Sequence, residues 1–170
     1  MSRNGFAIIQ SDVYMADFLN PNQRSHTMSK VRGKDTKIER SVRSGIHKKG
    51  FRFRKNAAKL PGHPDIALTK YSAVIFIHGC FWHGHSGCNK SSLPTTRREF
   101  WRNKISNTIV RDKKKIDELS AMGWRVAVVW QCAFNNKKSL SRTVDTLVNW
   151  ITSEETWIEI SGMPLELGAE

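Results

Sequence analysis

Thirteen consecutive residues, 76 to 88, contain three histidines and two of the three cysteines in the chain. The third cysteine follows a strand-like apolar run far downstream. Thiolate sulfur and imidazole nitrogen suit tetrahedral zinc, whereas isolated cysteines are more often small buried side chains. The clustering favours zinc, and any fold that builds this site must bring distant segments together. The predicted ligands are Cys80, His85, Cys88 and Cys132.

A zinc ion with four protein ligands has no open position for water, so such a site would be structural. It would contribute to the free energy of folding. Catalytic side chains must then be sought elsewhere.

The charge of the chain indicates its partner. Lysine and arginine number 28 against 15 acidic residues, and no basic residue follows Thr152 whereas five glutamates do. Residues 1 to 152 therefore carry 28 basic against 10 acidic residues, a net charge of +18. Such a field attracts a polyanion, and nucleic acid is the one we expect. A ribosomal protein or an ordinary soluble basic protein is the less specific alternative.

Other sequence features limit the class of protein. No apolar run approaches the roughly 20 residues that a membrane span requires. The 170 residues, 39% hydrophobic, suffice for one globular domain with its own core. No secretory signal is recognisable, and zinc-binding cysteines suit a reducing compartment, so we expect a cytoplasmic protein.

The first predicted helix follows a weakly patterned stretch. Residues 1 to 24 show little periodicity and several turn formers, so we expect an N-terminal extension. After Asp35 or Thr36 as N-cap, apolar residues recur every four positions until Gly50, which predicts an amphipathic helix. Glu39 and Arg43 lie together on its flank.

The remaining pattern alternates strands and helices. Residues 51–54, 65–69, 73–78 and 125–130 read as strands, the second and third as a hairpin, and residues 99–122 and 140–151 read as helices. This order predicts an α/β domain, a mixed central sheet flanked by helices. The apolar stripe predicted for the long helix consists of Trp101, Ile105, Ile109, Ile116 and Leu119. We expect Trp124, Trp130 and Trp150 to be ordinary core residues.

Two aspartates interrupt this pattern. Asp112 falls on the apolar stripe of the long helix and needs a partner there, for which Arg111 and Arg125 are candidates. Asp65 begins a strand whose hairpin partner ends in His78, and His83 follows in the next loop. An acid and imidazoles at one sheet end can hold a hard cation and accept a proton from water.

Several motifs in this order resemble one known family, the very short patch repair (Vsr) DNA mismatch endonucleases. The resemblance spans about residues 25 to 152. It is carried by residues 26–30, 34–36, 38–39, 60–65, 76–83, 96–101, 111–112 and 123–133, and the run Gly79-Cys80-Phe81-Trp82-His83 is its most specific part.

The resemblance implies a restriction-endonuclease-like core that nicks one DNA strand 5′ of a thymine mispaired with guanine. That lesion arises when 5-methylcytosine deaminates, so a functional link to a cytosine-5 methyltransferase and to repair proteins is implied. We expect a monomer acting on double-stranded DNA. The acidic residues 153–170 would form a C-terminal tail outside the 25–152 domain.

Individual roles carry over by motif. Asp65 and the main-chain carbonyl of Ile77 would bind Mg²⁺, His83 would be the general base, and Asp112 would support the site. Glu39 would orient His78 near the scissile phosphate. Four residues would enter the DNA stack beside the mismatch, where disturbed pairing lowers the cost of unstacking: Phe81, Trp82, Trp101 and Met28.

Three departures from related nucleases matter. Phe76-Ile77-His78 stands where an acid-x-lysine is usual, which leaves Asp65 as the main carboxylate. Ile77 replaces a frequent threonine. The loop after His83 is one residue longer than the family form, so His83 is the alternative zinc ligand to His85. Two other functions stay open: a restriction-type nuclease on matched DNA, and a zinc-containing DNA-binding domain without activity.

Overall fold

The fold is described from a computed structural model, which describes residue 26 and residues 35–162. Helix α1 spans Lys37–Lys48. The Thr36 hydroxyl caps it by accepting a hydrogen bond from the Glu39 backbone N–H, as one of the two predicted N-caps would. Its buried face is formed by Val42 and Ile46, which are fully inaccessible to solvent.

Within residues 35–162, five strands form one mixed sheet in the order β1 to β5. Their bounds are β1 Arg54–Lys55, β2 Ile66–Leu68, β3 Ala73–His78, β4 Arg125–Trp130 and β5 Trp157–Ile160. The pairs β1–β2 and β2–β3 are antiparallel, and the pairs β3–β4 and β4–β5 are parallel. The predicted hairpin and the bounds predicted for β3 and β4 are confirmed. Both strands are buried on two faces, which explains their continuous apolar sequences.

Two further helices make the crossovers between the parallel strands. Helix α2, Arg98–Ala121, joins β3 to β4, and helix α3, Lys137–Thr152, joins β4 to β5. One face of the sheet packs against α1 and α3 through a core that includes Ile75, Val129, Leu147 and Trp150. The opposite face packs against α2, where Leu119 is fully buried. The sheet is therefore the middle of three layers.

The structure corrects three predictions. Residues 51–53 are not a strand, and β1 contains only Arg54 and Lys55. Strand β5 lies inside the expected acidic tail, so the sheet extends past residue 152. Ile109 is 45% exposed rather than buried, because α2 rests on the sheet mainly through its C-terminal half. Among the described residues, no helix is long and apolar enough to cross a membrane.

Candidate active site and metal centre

The candidate site lies at the carboxyl ends of two neighbouring parallel strands. His78 ends β3, Trp130 ends β4, and the two residues are paired in register. The loops that follow these strands therefore leave the same edge of the sheet, where sites of open α/β sheets form. This topology brings residues 79–88 close to Cys132.

The side chain of Asp65 is hydrogen-bonded to the backbone near the end of β3. Its Oδ2 accepts a hydrogen bond from the backbone N–H of Ile77 at 2.7 Å, in place of a partner on β2. Burial, and to a smaller extent the Glu39 carboxylate, raises the pKa of Asp65 to about 6, although the Ile77 hydrogen bond and Arg43 oppose the rise. A partly buried carboxyl group with a raised pKa in a cleft is a candidate functional residue.

Two histidines stack beside Asp65. The imidazole rings of His78 and His83 are nearly parallel, with centroids 3.8 Å apart. Burial, and then the neighbouring His83, lowers the pKa of His78 to about 3. His78 is therefore neutral at physiological pH, so a proton accepted by His83 would not face a second positive imidazole.

Asp112 reaches this pair from helix α2. Its Oδ2 lies 2.5 Å from Nδ1 of His83, and its Oδ1 accepts a hydrogen bond from Arg111 at 3.2 Å. Burial opposes ionisation of Asp112, but the hydrogen bond and charge of His83 outweigh it and lower the pKa of Asp112. An ionised carboxylate on Nδ1 fixes the imidazole so that Nε2 is free to accept a proton. Arg125, the other predicted partner, instead donates to the Trp150 and Ile151 carbonyls.

Glu39 lines the same cleft but does not orient His78 as predicted. Its carboxylate accepts hydrogen bonds from the Asp35 N–H and the Thr36 hydroxyl, both at 2.8 Å, and lies 3.5 Å from Arg43. No hydrogen bond joins Glu39 to His78 within residues 35–162. The reason is local, because the carboxylate is already used at the start of its own helix.

The four predicted zinc ligands converge beyond the histidine pair. Cys80, His85, Cys88 and Cys132 each offer a ligand atom, and these atoms lie within 4.8 Å of one another. Nδ1 of His85 is 3.5 Å from Sγ of Cys132. His83 faces Asp112 instead, so the alternative ligand assignment is not supported by this geometry. Burial, and then the neighbouring Cys132 sulfur, raises the pKa of the Cys80 thiol to about 12, so a thiolate here needs a cation.

The loop that carries both sets of residues makes a tight turn at Gly84. Its φ of +63° is a conformation that glycine adopts freely. A Cβ at this position would lie 2.7 Å from side-chain atoms of Ile105 and Ile109 on α2. This close approach holds the loop against the helix that supplies Asp112.

Aromatic side chains form a third group next to the loop. Phe81, Trp82 and Trp101 contact one another edge to face, with ring centroids 5.0 to 5.9 Å apart. All three are partly exposed rather than buried in the core. Met28, the fourth predicted member, lies outside the described residues.

Comparison with known proteins identifies the family of this chain. The family described as DNA mismatch endonuclease Vsr matches residues 16–90. The DNA mismatch endonuclease Vsr of Escherichia coli K12 is 38% identical over 155 residues, which cover 90% of this chain and 99% of that protein. The chain belongs to the Vsr family. It is therefore a DNA endonuclease, and the restriction-endonuclease-like fold that the family implies suits the mixed five-stranded sheet and three helices of residues 35–162.

Two further relatives are nicking enzymes by name. The type II nicking enzyme V.XorIIP of Xanthomonas oryzae pv. oryzae is 44% identical over 135 residues, 79% of this chain and 98% of its own. V.NmeAIP of Neisseria meningitidis serogroup A is 44% identical over 137 residues, 81% of this chain and 97% of its own. The resemblance to the Vsr family inferred from the motifs is thus confirmed.

Some residues around the site of this Vsr-family chain were not predicted. Arg43, which was placed only on the flank of the helix, is buried and pairs with Asp35 and Glu39. Trp130, expected to be ordinary core, stacks on His85 with ring centroids 4.1 Å apart. A buried position for Arg43 is signalled by its spacing of four from Glu39 and one from Val42. No sequence signal relates Trp130 to His85.

Proposed function

We propose that this chain nicks one strand of double-stranded DNA 5′ of a thymine in a T:G mispair, in a reaction that requires Mg²⁺. Family membership supports the DNA mismatch substrate. The observation that carries the catalytic proposal is the convergence of Asp65, His78, His83 and Asp112 on one cleft, with His83 held by Asp112 at 2.5 Å.

The residues around Asp65 suit Mg²⁺, a hard cation that prefers oxygen ligands. The N–H and C=O of one strand residue point to the same side, so the Ile77 carbonyl faces the edge where its N–H meets Asp65. Pro64, which precedes Asp65, has no N–H to donate to that carbonyl. Asp65 and the Ile77 carbonyl would therefore hold the ion, which when bound supplies charge stabilisation at the scissile phosphate.

The imidazole of His83, which Asp112 of α2 holds in place, would carry out the proton transfer. Asp112 accepts a hydrogen bond from the Nδ1–H of His83. Nε2 can therefore take a proton from the attacking water as general base. His78 is neutral and packs flat against His83, which limits rotation of the base. Glu39 adds negative charge near the ion rather than orienting His78.

The cysteine and histidine cluster suits Zn²⁺. Zinc–sulfur and zinc–nitrogen bonds of about 2.3 and 2.05 Å at a tetrahedral angle place S and N about 3.5 Å apart. The distance between Cys132 Sγ and His85 Nδ1 is 3.5 Å. We propose a structural zinc here, since four protein ligands leave no open position.

The aromatic cluster supports a preference for mispaired DNA. Phe81, Trp82 and Trp101 are partly exposed, and Lys104 lies 5.4 Å from the centroid of Trp101. Aromatic rings that enter a base step cost a few kcal/mol of unstacking, and least where pairing is disturbed. Met28 is proposed to enter from the other groove.

The test is a Mg²⁺-dependent nicking assay on an end-labelled duplex with one T:G mispair, beside the matched duplex. Asp65→Asn, which keeps the size of the side chain, is the inactive control. A nick 5′ of the thymine that is absent from the matched duplex and from the variant supports the proposal. Equal cutting of both duplexes would favour the restriction-type nuclease, and tight binding without cutting in any flanking sequence would favour a DNA-binding domain.

The remaining expectations about the protein's setting stay proposals. We propose that the chain acts as a monomer in the cytoplasm, after a cytosine-5 methyltransferase has created the methylated base. The proposed domain organisation is an extension up to residue 24 followed by the nuclease domain, which we extend from residue 152 to include β5.

A further inference from the structure

The last strand reaches the metal centre from outside the four ligands. Strand β5 pairs in parallel with β4, with Ile160 opposite Val129. The chain then continues past the end of β4 to the 3-10 turn that contains Cys132. There the backbone N–H of Gly162 donates a hydrogen bond to Sγ of Cys132 at 3.3 Å.

This approach depends on the absence of a side chain at residue 162. A Cβ on Gly162 would lie 2.1 Å from the backbone oxygen of Cys132, a distance that forces the segment to move. The N–H to sulfur contact therefore requires glycine at this position. An N–H donor on a ligand sulfur holds that sulfur in position, as the outer partners of metal ligands do.

A second contact from β5 reaches the histidine ligand indirectly. The indole N–H of Trp130 donates to Oε1 of Glu159. The same indole lies flat against the His85 imidazole, with 6° between the ring planes. Glu159 thus fixes the plane of Trp130, and Trp130 fixes the plane of His85.

Apart from the charge of Glu159, which acts directly on the His85 ring, no further support for the ring orientation is found in residues 35–162. Metal-binding histidines usually donate their second ring N–H to a carboxylate or a carbonyl. Within these residues, the one hydrogen-bond contact of the His85 ring is Nδ1 with Cys132 Sγ. Stacking on Trp130 is therefore the contact that can set the direction of Nδ1.

We propose that Trp130, Glu159 and Gly162 form an outer layer of the metal centre, which orients His85 and holds the Cys132 sulfur in position and so raises the affinity for zinc. These are positioning residues, since none of them is a ligand. The proposal rests on the zinc site proposed above. It assigns to β5 a part in metal binding in addition to its place in the sheet.

The test uses Co²⁺ alone as an optical probe, followed by competition with Zn²⁺, on the full-length chain. Wild type should bind one Co²⁺ that gives a thiolate charge-transfer band, and this band reports the cysteine site separately from any Co²⁺ near Asp65. Glu159→Ala should weaken Co²⁺ affinity about tenfold, the lower end of what outer partners of metal ligands usually contribute. It should also shift the ligand-field bands because His85 rotates. Gly162→Ala should weaken Co²⁺ affinity by a similar factor.

Two control variants distinguish the loss of the hydrogen bond to Trp130 from a general loss of negative charge near β5. Glu159→Gln keeps an acceptor for the Trp130 N–H and should restore affinity and spectrum to nearly wild type. Glu155→Ala removes the same charge from an exposed side chain just before β5 and should leave both unchanged. Thermal unfolding of the metal-free variants shows whether β5 itself has been loosened.

The outcomes distinguish the two proposals. Absence of Co²⁺ binding in wild type, or undiminished binding in Cys132→Ser, would overturn the zinc site itself. Diminished binding in Cys132→Ser, beside wild-type affinity and spectrum in Glu159→Ala and Gly162→Ala, would overturn only the outer layer. Equal losses in Glu159→Gln and Glu159→Ala, or lower stability with an unchanged cobalt spectrum, would do the same.

Discussion

Replacement of Asp112 by asparagine should remove most of the catalysis without removing the fold. The side chain of Asp112 is 19% exposed, and its Oδ2 lies 2.5 Å from Nδ1 of His83. Asparagine can offer an N–H to that nitrogen, which would favour the tautomer with a proton on Nε2. His83 would then present a donor where the reaction needs an acceptor.

The expected loss of rate in Asp112→Asn follows from the role of His83 as general base. A positioned general base contributes about 10²- to 10⁴-fold to the rate, which corresponds to roughly 3 to 5 kcal/mol of transition-state stabilisation. The loss should appear in the single-turnover nicking rate on the T:G duplex. DNA affinity and thermal stability should change little, because Asp112 is partly exposed and Arg111 remains beside it.

The matched control is Asp117→Asn on the same helix. Among residues 35–162, Asp117 pairs only with the exposed Lys113 at 3.3 Å, and exposed pairs of this kind contribute little. Its variant should nick at the wild-type rate. A rate for Asp112→Asn within threefold of wild type, beside an inactive Asp65→Asn, would refute the assignment of His83 as a base held by Asp112.

Other predictions address the metals, the DNA contacts and the loop. The pKa of Asp65 is higher in the folded state than in the unfolded chain, so the protonated side chain stabilises the folded state by about 1 to 3 kcal/mol below about pH 4. This contribution should be lost as the pH rises through 6. The free energy of unfolding of wild type and Asp65→Asn, measured as a function of pH, gives this contribution as the difference between the two curves, and parallel curves would contradict it. The affinity for Mg²⁺ should weaken below pH 6, because Asp65 becomes protonated. Cys132→Ser should lose bound zinc and melt at a lower temperature, as wild type should with a strong chelator; a melting temperature unaffected by either treatment would argue against a structural zinc. Trp101→Ala should lower affinity for the T:G duplex by about 1 to 3 kcal/mol, with a smaller effect on matched DNA, in a binding titration; an equal loss on both duplexes would mean that the ring does not read the mismatch. Gly84→Ala should lower the free energy of unfolding by about 1 to 3 kcal/mol, because φ is positive at this residue and a Cβ would press against α2. Gly50→Ala is the control, since φ is positive there but the space is open. Equal losses of stability in the two variants, measured by denaturation, would exclude a contribution from the contact with α2.

The sequence predicts the central strands well and the edges of the sheet poorly. Strands β3 and β4 are continuous apolar runs because helices cover both faces, and their bounds were predicted correctly. Strand β5 has four residues, two of them exposed, in an acidic segment that resembles a tail. Its place in the sheet depends on pairing with β4, which local pattern does not record.

The same distinction applies to the site. Asp65, His78 and His83 were expected together because two strands and one loop are adjacent in the chain. The choice between His83 and His85 as the metal-binding residue could not be made from spacing, since both lie within eight residues of two cysteines. The use of Glu39 at its own helix start, rather than at His78, depends on side-chain geometry that spacing does not specify.

The arrangement of residues 80–88 restricts how this chain can vary in length. His83 follows Cys80, a member of the metal-binding cluster, so a residue gained or lost between 80 and 83 would move the imidazole relative to Asp112. The segment from 92 to 97 lies beyond the cluster and leads into α2 without a strand or helix of its own. Length differences among homologues should therefore be concentrated after His83, where this loop already has one residue more than the family form, and between residues 92 and 97, whereas residues 80–83 should keep their length.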